Sequence, residues 1–473
     1  MKITKRAIQY TELAKKILKE IYQLPEVAKL FQLLLESSSE NEIYLVGGAI
    51  RDIFLGRVPQ DFDFVVSGKG IDFAKKFARR TQGALVILSL ADDEARVVIN
   101  KSYTFDFNGL QGKSLQLDLE RRDFTINALA ISLKKPEKII DEFRGLQHLK
   151  KKLIVPVSIQ SLKLDPLRIL RAFRFALVLS FKLDPKIFKL TQDLDLSLVA
   201  PERIGYEFLR ITESAGSFFY IKLMHRLGLL KQIFPLAHKL FEDSFLFGHS
   251  LRTYRKIEEI LTSKSFFDNF PQEKERYFSN FPFRKALLKI AGLFHDLGKP
   301  DTQFFTDTGD VHFYGHDNLG AKLISRMAQE NLRFSRRQTQ MLRTLVLYHM
   351  RLHLLATAPV LTDRAIRRFF RDLGDEYFGL LILTYADGYA TAKKIDHLER
   401  TITRMIEVKR ADEAKLKVKR LITGDDLISW GYKPGPIFKT ILQELEDLQL
   451  EGKITSKEDG YNYLKIHYPL TNY

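Results

Sequence analysis

Between Ile43 and Leu133 the chain moves repeatedly between two hydrophobic rhythms. Period-two runs, IYLVGG, DFDFVV, ALVILSL, ARVVIN and YTFDFNG, predict strands. The segments AIRDIFLG and GIDFAKKFARRTQ carry apolar residues at helical spacing and predict helices between them. Upstream, residues 1 to about 38 set Ile8, Leu13, Ile17, Ile21, Leu30, Leu33 and Leu34 on helical spacing and end in the polar run SSSENE, which predicts helices placed to cover the sheet. From about Leu162 the strand rhythm stops and helical periodicity takes over. The pattern predicts an α+β chain: a small head with a mixed sheet, then an all-helical body. Neither a short repeat nor a low-complexity block interrupts it.

At 473 residues the chain exceeds one compact core and divides into several domains. The rhythm and motifs place them at 1–38 (N-terminal helices), 39–155 (head), 156–240 (helical neck), 241–410 (a second helical domain) and 411–473 (tail). A formal net charge of +17, spread over the helices rather than gathered in a tail, predicts a polyanion bound along a surface. There is no cysteine, so any metal ligands are Asp, Glu, His or water. No run approaches transmembrane length, and the basic N-terminal segment lacks an apolar core or cleavage site, so a cytoplasmic chain without membrane contact is expected.

The densest chemistry lies in LVGGAIRDIFLGRVPQDFDFVV. Asp61 and Asp63 flank Phe62 on a strand, so both carboxylates face one side while Phe62 and Phe64 face a core. Two such charges repel unless a cation lies between them, and Mg²⁺ is the usual oxygen-liganded ion. Gly47 and Gly48 end one strand and open the helix carrying Arg51 and Asp52, where backbone N–H groups can hold phosphate oxygens. Asp106, bracketed by Phe105 and Phe107, completes a three-carboxylate set if its strand lies beside that of Asp61 and Asp63. In LERRDFTINALAI, Arg121 and Arg122 suit a triphosphate and ribose. Asp123 and Asn127, four apart on an expected helix, would present one face to the sugar hydroxyls.

GGxxRDxxLGRxxxDxDxVV and RRDFTINA resemble the first motifs of the class II tRNA nucleotidyltransferases and bacterial poly(A) polymerases. That resemblance implies a polymerase-β-like nucleotidyltransferase head. The stretch LKLDPLRILRAFRF is similar to the family's nucleobase-selecting motif, with Leu164 where the family has Glu. The match implies that Asp165 and Arg168 pair with the Watson–Crick edge of C or A, so that the protein templates itself. Asp165-Pro166 also reads as a helix N-cap followed by proline at the first helical position. Arg171 and Arg174 continue that helix face towards a base and phosphate pocket. ERIGYEFLRI, with Glu202, Arg203 and Glu207, resembles the last motif, a salt-bridged support for the selecting helix. The segment FNGLQGKSLQLDLE between Asp106 and Arg121 is short, and the family's acidic-then-basic lever for switching from CTP to ATP is not clear in it.

The chain has 11 histidines, and several fall in a pattern: His249, His295-Asp296 in LFHDLGKP, His316, His349 and a late Asp387. The pattern resembles the HD phosphohydrolase superfamily, and this ligand set suits Ni²⁺, Mn²⁺, Zn²⁺ or Fe. Lys299 is placed to contact a phosphate. The tail, LITGDDLISWGYKPGPIFKTILQELEDLQL, resembles the tRNA-binding tail of the same enzymes; Trp430 and Tyr432 are expected to pack. Together these features predict a tRNA nucleotidyltransferase adding C and A from CTP and ATP with Mg²⁺. The alternatives are CC-only or A-only addition, poly(A) synthesis, or mainly an HD-type RNA-end phosphohydrolase. The oligomeric state is left open.

Overall fold

The computed structural model describes residues 2–38, 41–110, 114–136, 139–191, 194–392, 395–416 and 421–470. Contacts divide the chain into two compact units after Pro235.

In the first unit, α1 (Lys2–Tyr22) and α2 (Pro25–Ser37) precede β1 (Ile43–Val46), α3 (Gly48–Phe54), β2 (Asp61–Val66) and α4 (Gly70–Thr81). Then follow β3 (Ala84–Ser89), β4 (Glu94–Ile99), β5 (Tyr103–Gly109), α5 (Leu115–Glu120), β6 (Ala130–Ser132) and β7 (Ile139–Ile140). These strands form one sheet of order β3-β4-β5-β2-β1-β6-β7. It is mixed, as the rhythm predicts: β2 runs parallel to β5 and antiparallel to β1. Strict alternation puts Phe62, Phe64, Phe105 and Phe107 on one face, fully buried. Phe31 of α2 lies 5.3 Å from the Phe62 ring, and Phe77 of α4 lies 5.2 Å from Phe105. The helices before and after β2 therefore seal the apolar face, and the polar positions of the same strands are turned to the other.

The unit continues through α6 (Gly145–Lys150), β8 (Leu153–Ile154), α7 (Ile159–Leu164), α8 (Arg168–Leu179), β9 (Lys182–Leu183), α9 (Pro185–Leu190) and α10 (Pro201–Glu213). Strands thus do not end at Leu162: β9 pairs with β8, and in the second unit Phe304–Phe305 pairs with Val311–His312. Two-residue ladders are too short to leave a period in the sequence.

The second unit packs the helices Ser244–Thr262, Arg284–Phe294 and Arg336–Tyr348 against Tyr377–Ala392, with His316–Glu330 packed on Arg336–Tyr348. That last helix is buried from Tyr377 through Asp387, as its nearly unbroken apolar run requires. The tail helices Gly424–Ser429, Pro436–Leu450 and Lys457–His467 share a core of Ile422, Leu427, Tyr432, Ile441, Leu445, Ile454 and Leu464. Tyr432 donates its hydroxyl to the Tyr468 carbonyl at 2.8 Å, and Trp430 lies 5.2 Å from the Tyr461 ring, so both residues pack. Among the described residues no helix is long and apolar enough to cross a membrane.

Candidate functional site

Parallel pairing of β2 and β5 sets Asp63 opposite Asp106, with Asp61 two residues back on the same face. Burial raises the Asp63 carboxyl above its ordinary range; Arg122 and Arg51 oppose the shift, whereas Asp106 and Asp61 add to it. An all-oxygen donor set of three carboxylates, only partly offset by neighbouring arginines, fits a hard divalent cation such as Mg²⁺. Asp106 has a partner that the sequence reading did not foresee: Arg96 of β4 grips both its oxygens, each at 2.8 Å.

Gly47 closes β1 at a φ of +75°, and a Cβ there would meet Arg122 Nη1 at 2.8 Å and Asp63 Oδ2 at 3.1 Å. Glycine therefore lets a guanidinium and a carboxylate approach the backbone together. The Gly47 N–H itself donates to Leu129 O at 3.1 Å, so it does not join a phosphate cradle as expected. Arg121 is exposed, and both arginines of the RRD triplet line a cleft of about 390 Å³ together with Asp123, Asp165, Arg168, Arg171 and Arg203.

Asp123 and Asn127 are not on an α-helix. Residues Thr125–Asn127 form a single 3₁₀ turn, because Thr125 N–H bonds Val155 O and Phe124 bridges Pro156. The two side chains meet regardless, Asn127 Nδ2 donating to Asp123 Oδ1 at 3.0 Å, but both are buried rather than fanned towards a sugar. Arg51 donates to Asn127 Oδ1 at 2.6 Å and forks onto Asp52 at 2.9 Å, while Arg171 donates twice to Asp123 Oδ2, at 2.9 and 2.7 Å. Glu207, 2% exposed, takes Arg174 at 2.6 Å and Arg171 at 3.7 Å. Opposite charges thus alternate from Asp52 to Arg174, and Arg174 turns to Glu207 rather than into the cleft. The Phe175 ring supports this chain, with Arg51, Arg171 and Arg174 at 5.1, 5.5 and 4.2 Å from its centre.

Asp165 ends α7, and α8 begins only at Arg168, with Leu167 as its N-cap, so the Asp-Pro capping position expected from sequence lies two residues early. The turn still brings Asp165 Oδ2 to 3.9 Å from Arg168 Nε, and Arg203 donates to the same oxygen at 2.8 Å. Arg168 is fixed by the carbonyls of Ser161 and Arg122, at 3.0 and 3.2 Å. Leu164 is 67% exposed. Of the short segment before Arg121, residues 111–113 lie outside the described residues.

The second unit gathers His249, His295, Asp296, His316, His349 and Asp387. His295, His316 and His349 turn Nδ1 to the carbonyls of Gly292, Phe313 and Val346 at 2.9, 2.7 and 2.7 Å. In the neutral, ion-binding form of each ring, donation there leaves Nε2 as a lone pair facing inward. His249 and His295 approach Nε2 to Nε2 at 3.2 Å, and His316 and His349 at 3.1 Å. Paired lone pairs at such distances need a proton or a cation between them. Asp296 is common to both groups able to hold an ion, His249–His295–Asp296 and Asp296–His316–His349, and its buried oxygens accept no hydrogen bond of normal geometry. Burial pushes the His295 imidazole down, but Asp296 and Asp387 overrule it and raise it to about 10. A neighbouring cleft of about 530 Å³ is lined by Lys299, Arg252, Phe245, Phe313 and Met350.

The CC-adding tRNA nucleotidyltransferase of Thermus thermophilus is 30% identical over 442 residues, spanning 89% of this chain and 93% of that protein. The chain belongs to the tRNA nucleotidyltransferase family. A Synechocystis protein of the same description is 29% identical, and an A-adding tRNA nucleotidyltransferase of Deinococcus radiodurans 28% identical, each over 89% of this chain. Family models match the poly A polymerase head domain at residues 43–155, the probable RNA and SrmB-binding site of polymerase A at 180–241, and the HD domain at 246–405. The fold is that of a Thermotoga maritima CCA-adding enzyme solved with tRNA, with a TM-score of 0.65, 21% identity and coverage of 96% of this chain and 98% of that one.

In this tRNA nucleotidyltransferase three side chains beside the sites escaped the sequence reading. Arg96 carried a signal, since alternation in EARVVI puts it on the face opposite buried Ala95 and Val97. His353 lies one helical turn after His349 and bonds Asp387 Oδ2 at 2.9 Å, a spacing visible in HMRLH. Phe175 had none, because an apolar residue in an amphipathic helix gives no hint of the charges it faces.

Proposed function

We propose that this protein extends the 3′ end of tRNA with C and A from CTP and ATP, in the cytoplasm. The observation that carries the reading is the in-register pairing of Asp63 with Asp106, beside a glycine turn filled by Arg122. Asp61, Asp63 and Asp106 would hold Mg²⁺, which when bound lowers the pKa of the attacking hydroxyl and neutralises triphosphate charge. Arg121, Arg122 and the Gly48 amide hold the phosphates. Asp165 accepts from the exocyclic amine of C or A, and Arg168 donates to the ring acceptors; Arg203 holds Asp165 in place. The 3′ hydroxyl gives its proton to solvent water as its oxygen bonds to the α-phosphorus, the α–β bridging bond breaks, and pyrophosphate leaves with the bridging electrons.

A second reading, addition of CC only or A only, is favoured by the relatives that span nearly the whole chain, since these are described as CC-adding or A-adding. The multifunctional CCA proteins of Nitrosococcus oceani and Mannheimia succiniciproducens align over only 61% of it. One experiment separates the two: tRNAs ending before the first C, after one C and after CC are incubated with each labelled nucleotide alone and with both. The proposal expects CTP then ATP to complete every substrate, and a product that stops after two cytidines replaces it with partial addition. Asp165→Ala should erase base preference in the same assay. The histidine cluster is proposed as a second, transition-metal centre for phosphoester hydrolysis at RNA ends, with Ni²⁺, Mn²⁺, Zn²⁺ or Fe as its ions.

A further inference from the structure

β3 ends the seven-stranded sheet, and its outer edge pairs with no strand among the described residues. Natural edge strands are usually blunted by charge, proline or cover. The segment GALVILSL has no charge and no proline. Leu85, Val86, Ile87 and Leu88 are 36, 45, 46 and 43% exposed, and Leu90 is 78% exposed. Successive strand residues point to opposite faces, so part of this apolar surface is exposed on each face as well as along its edge, although α4 packs against the strand. One register shift between Ile87 and Ser89 bends only its last part. Such a surface on a chain of net charge +17 is built for burial against something uncharged.

The flanking charges identify the occupant. Exposed Arg79 and Arg80 close α4 and lead into the start of β3, whereas exposed Asp92 lies in the turn after its end. An antiparallel partner strand reverses the order of its ends. A second copy of this chain, related by a two-fold axis through the strand, therefore brings each Arg79–Arg80 pair to the other copy's Asp92 and sets apolar residues against apolar residues. We infer that β3 is a homodimer seam, at which two heads join edge to edge through antiparallel β3 strands into one continuous sheet. A strand pair with its flanks falls short of the roughly 1,600 Å² of a standard interface, so the dimer should dissociate on dilution.

Sedimentation of the full chain tests the seam. Wild type should form dimers that dissociate on dilution, and Val86→Lys or Leu88→Lys should be monomeric with unchanged circular dichroism. Asp92→Arg should weaken the dimer at least several-fold, and adding Arg79→Glu and Arg80→Glu should restore it. The chain has no cysteine, so Leu85→Cys, Val86→Cys and Ile87→Cys can be oxidised one at a time, and at least one should form a disulfide-linked dimer. A wild type monomeric at high concentration would overturn the inference and leave the strand to a different partner. A dimer that survives both lysine variants, or the failure of all three cysteines to cross-link, would overturn it equally.

Discussion

Arg96 and Asp106 face each other across β4 and β5 and share two hydrogen bonds of 2.8 Å, so the third acid of the head carries its own counter-cation. For Asp106 to ligate a metal ion, this fork must open or share its oxygens. Arg96→Ala is therefore expected to lower the Mg²⁺ concentration for half-maximal nucleotide incorporation by a few-fold. Arg96→Lys, which cannot form the planar fork, should fall between. Titrating Mg²⁺ in a primer-extension assay decides it, and a raised requirement in both variants would show instead that the fork persists beside the ion.

Asp63 sets activity against stability. Its folded-state pKa is raised, so the ionised form destabilises the native state at neutral pH, and this penalty fades as pH falls through the raised value towards the unfolded value of about 3.9. Asp63→Asn should melt higher than wild type at pH 7 without divalent ions, and the gap should close towards pH 4. Nucleotide incorporation by the same variant should fall about a thousandfold, the equivalent of roughly 4 kcal/mol.

Asp123 has the opposite sign. Burial works to raise it, but Arg171, Asn127 and the Phe124 amide prevail and hold it below the usual carboxylate range. Its contribution is complete above about pH 4 and is lost as pH falls through the lowered folded value. Asp123→Ala leaves Arg171 with only the longer Glu207 contact and should cost about 1.5–3 kcal/mol in urea unfolding at pH 7. The acid limb of its stability curve should be flatter than that of wild type.

The alternation of β2 and β5 was readable because one face of each is phenylalanine-rich and the other carries the acids. The position of the catalytic candidates followed from it, since a period of two leaves little choice of face once Phe62, Phe64, Phe105 and Phe107 are buried. The Asp123–Asn127 helix was misread for a physical reason: local spacing favoured a helix, but Thr125 and Phe124 are claimed by the Val155–Pro156 segment, a tertiary pairing that spacing cannot register. The counter-charges were the other loss. Arg96 and His353 are 10 and 34 residues from Asp106 and Asp387, the acids they hold, and only the folded chain pairs them.

Asp296 predicts how the histidine cluster will respond to mutation. Because both candidate ion groups include it, Asp296→Asn should abolish binding of two equivalents of Ni²⁺ or Mn²⁺, measured by calorimetry on chelator-stripped protein. His316→Ala should retain one. Nucleotide incorporation should be unaffected by either change, because these residues lie in the other compact unit from Asp61 and Asp63.

Gly47→Ala should be more damaging than an alanine substitution at an ordinary glycine. The left-handed backbone costs about 1–2 kcal/mol with a side chain, and the added carbon displaces Arg122. A higher KM for CTP with a smaller change in kcat is the expected signature in steady-state incorporation, with Gly56→Ala, whose Cβ meets nothing within 4 Å, as the control for backbone strain alone.

The three guanidiniums on the Phe175 ring have a consequence for processive growth of a chain end. Each is already held between an aromatic face and at least one carboxylate before any ligand arrives, so little conformational freedom remains for an incoming nucleotide to freeze out. Of the three, Arg171 lines the cleft, and Arg51 and Arg174 form a rigid backing behind it that does not have to be rebuilt between one nucleotide and the next.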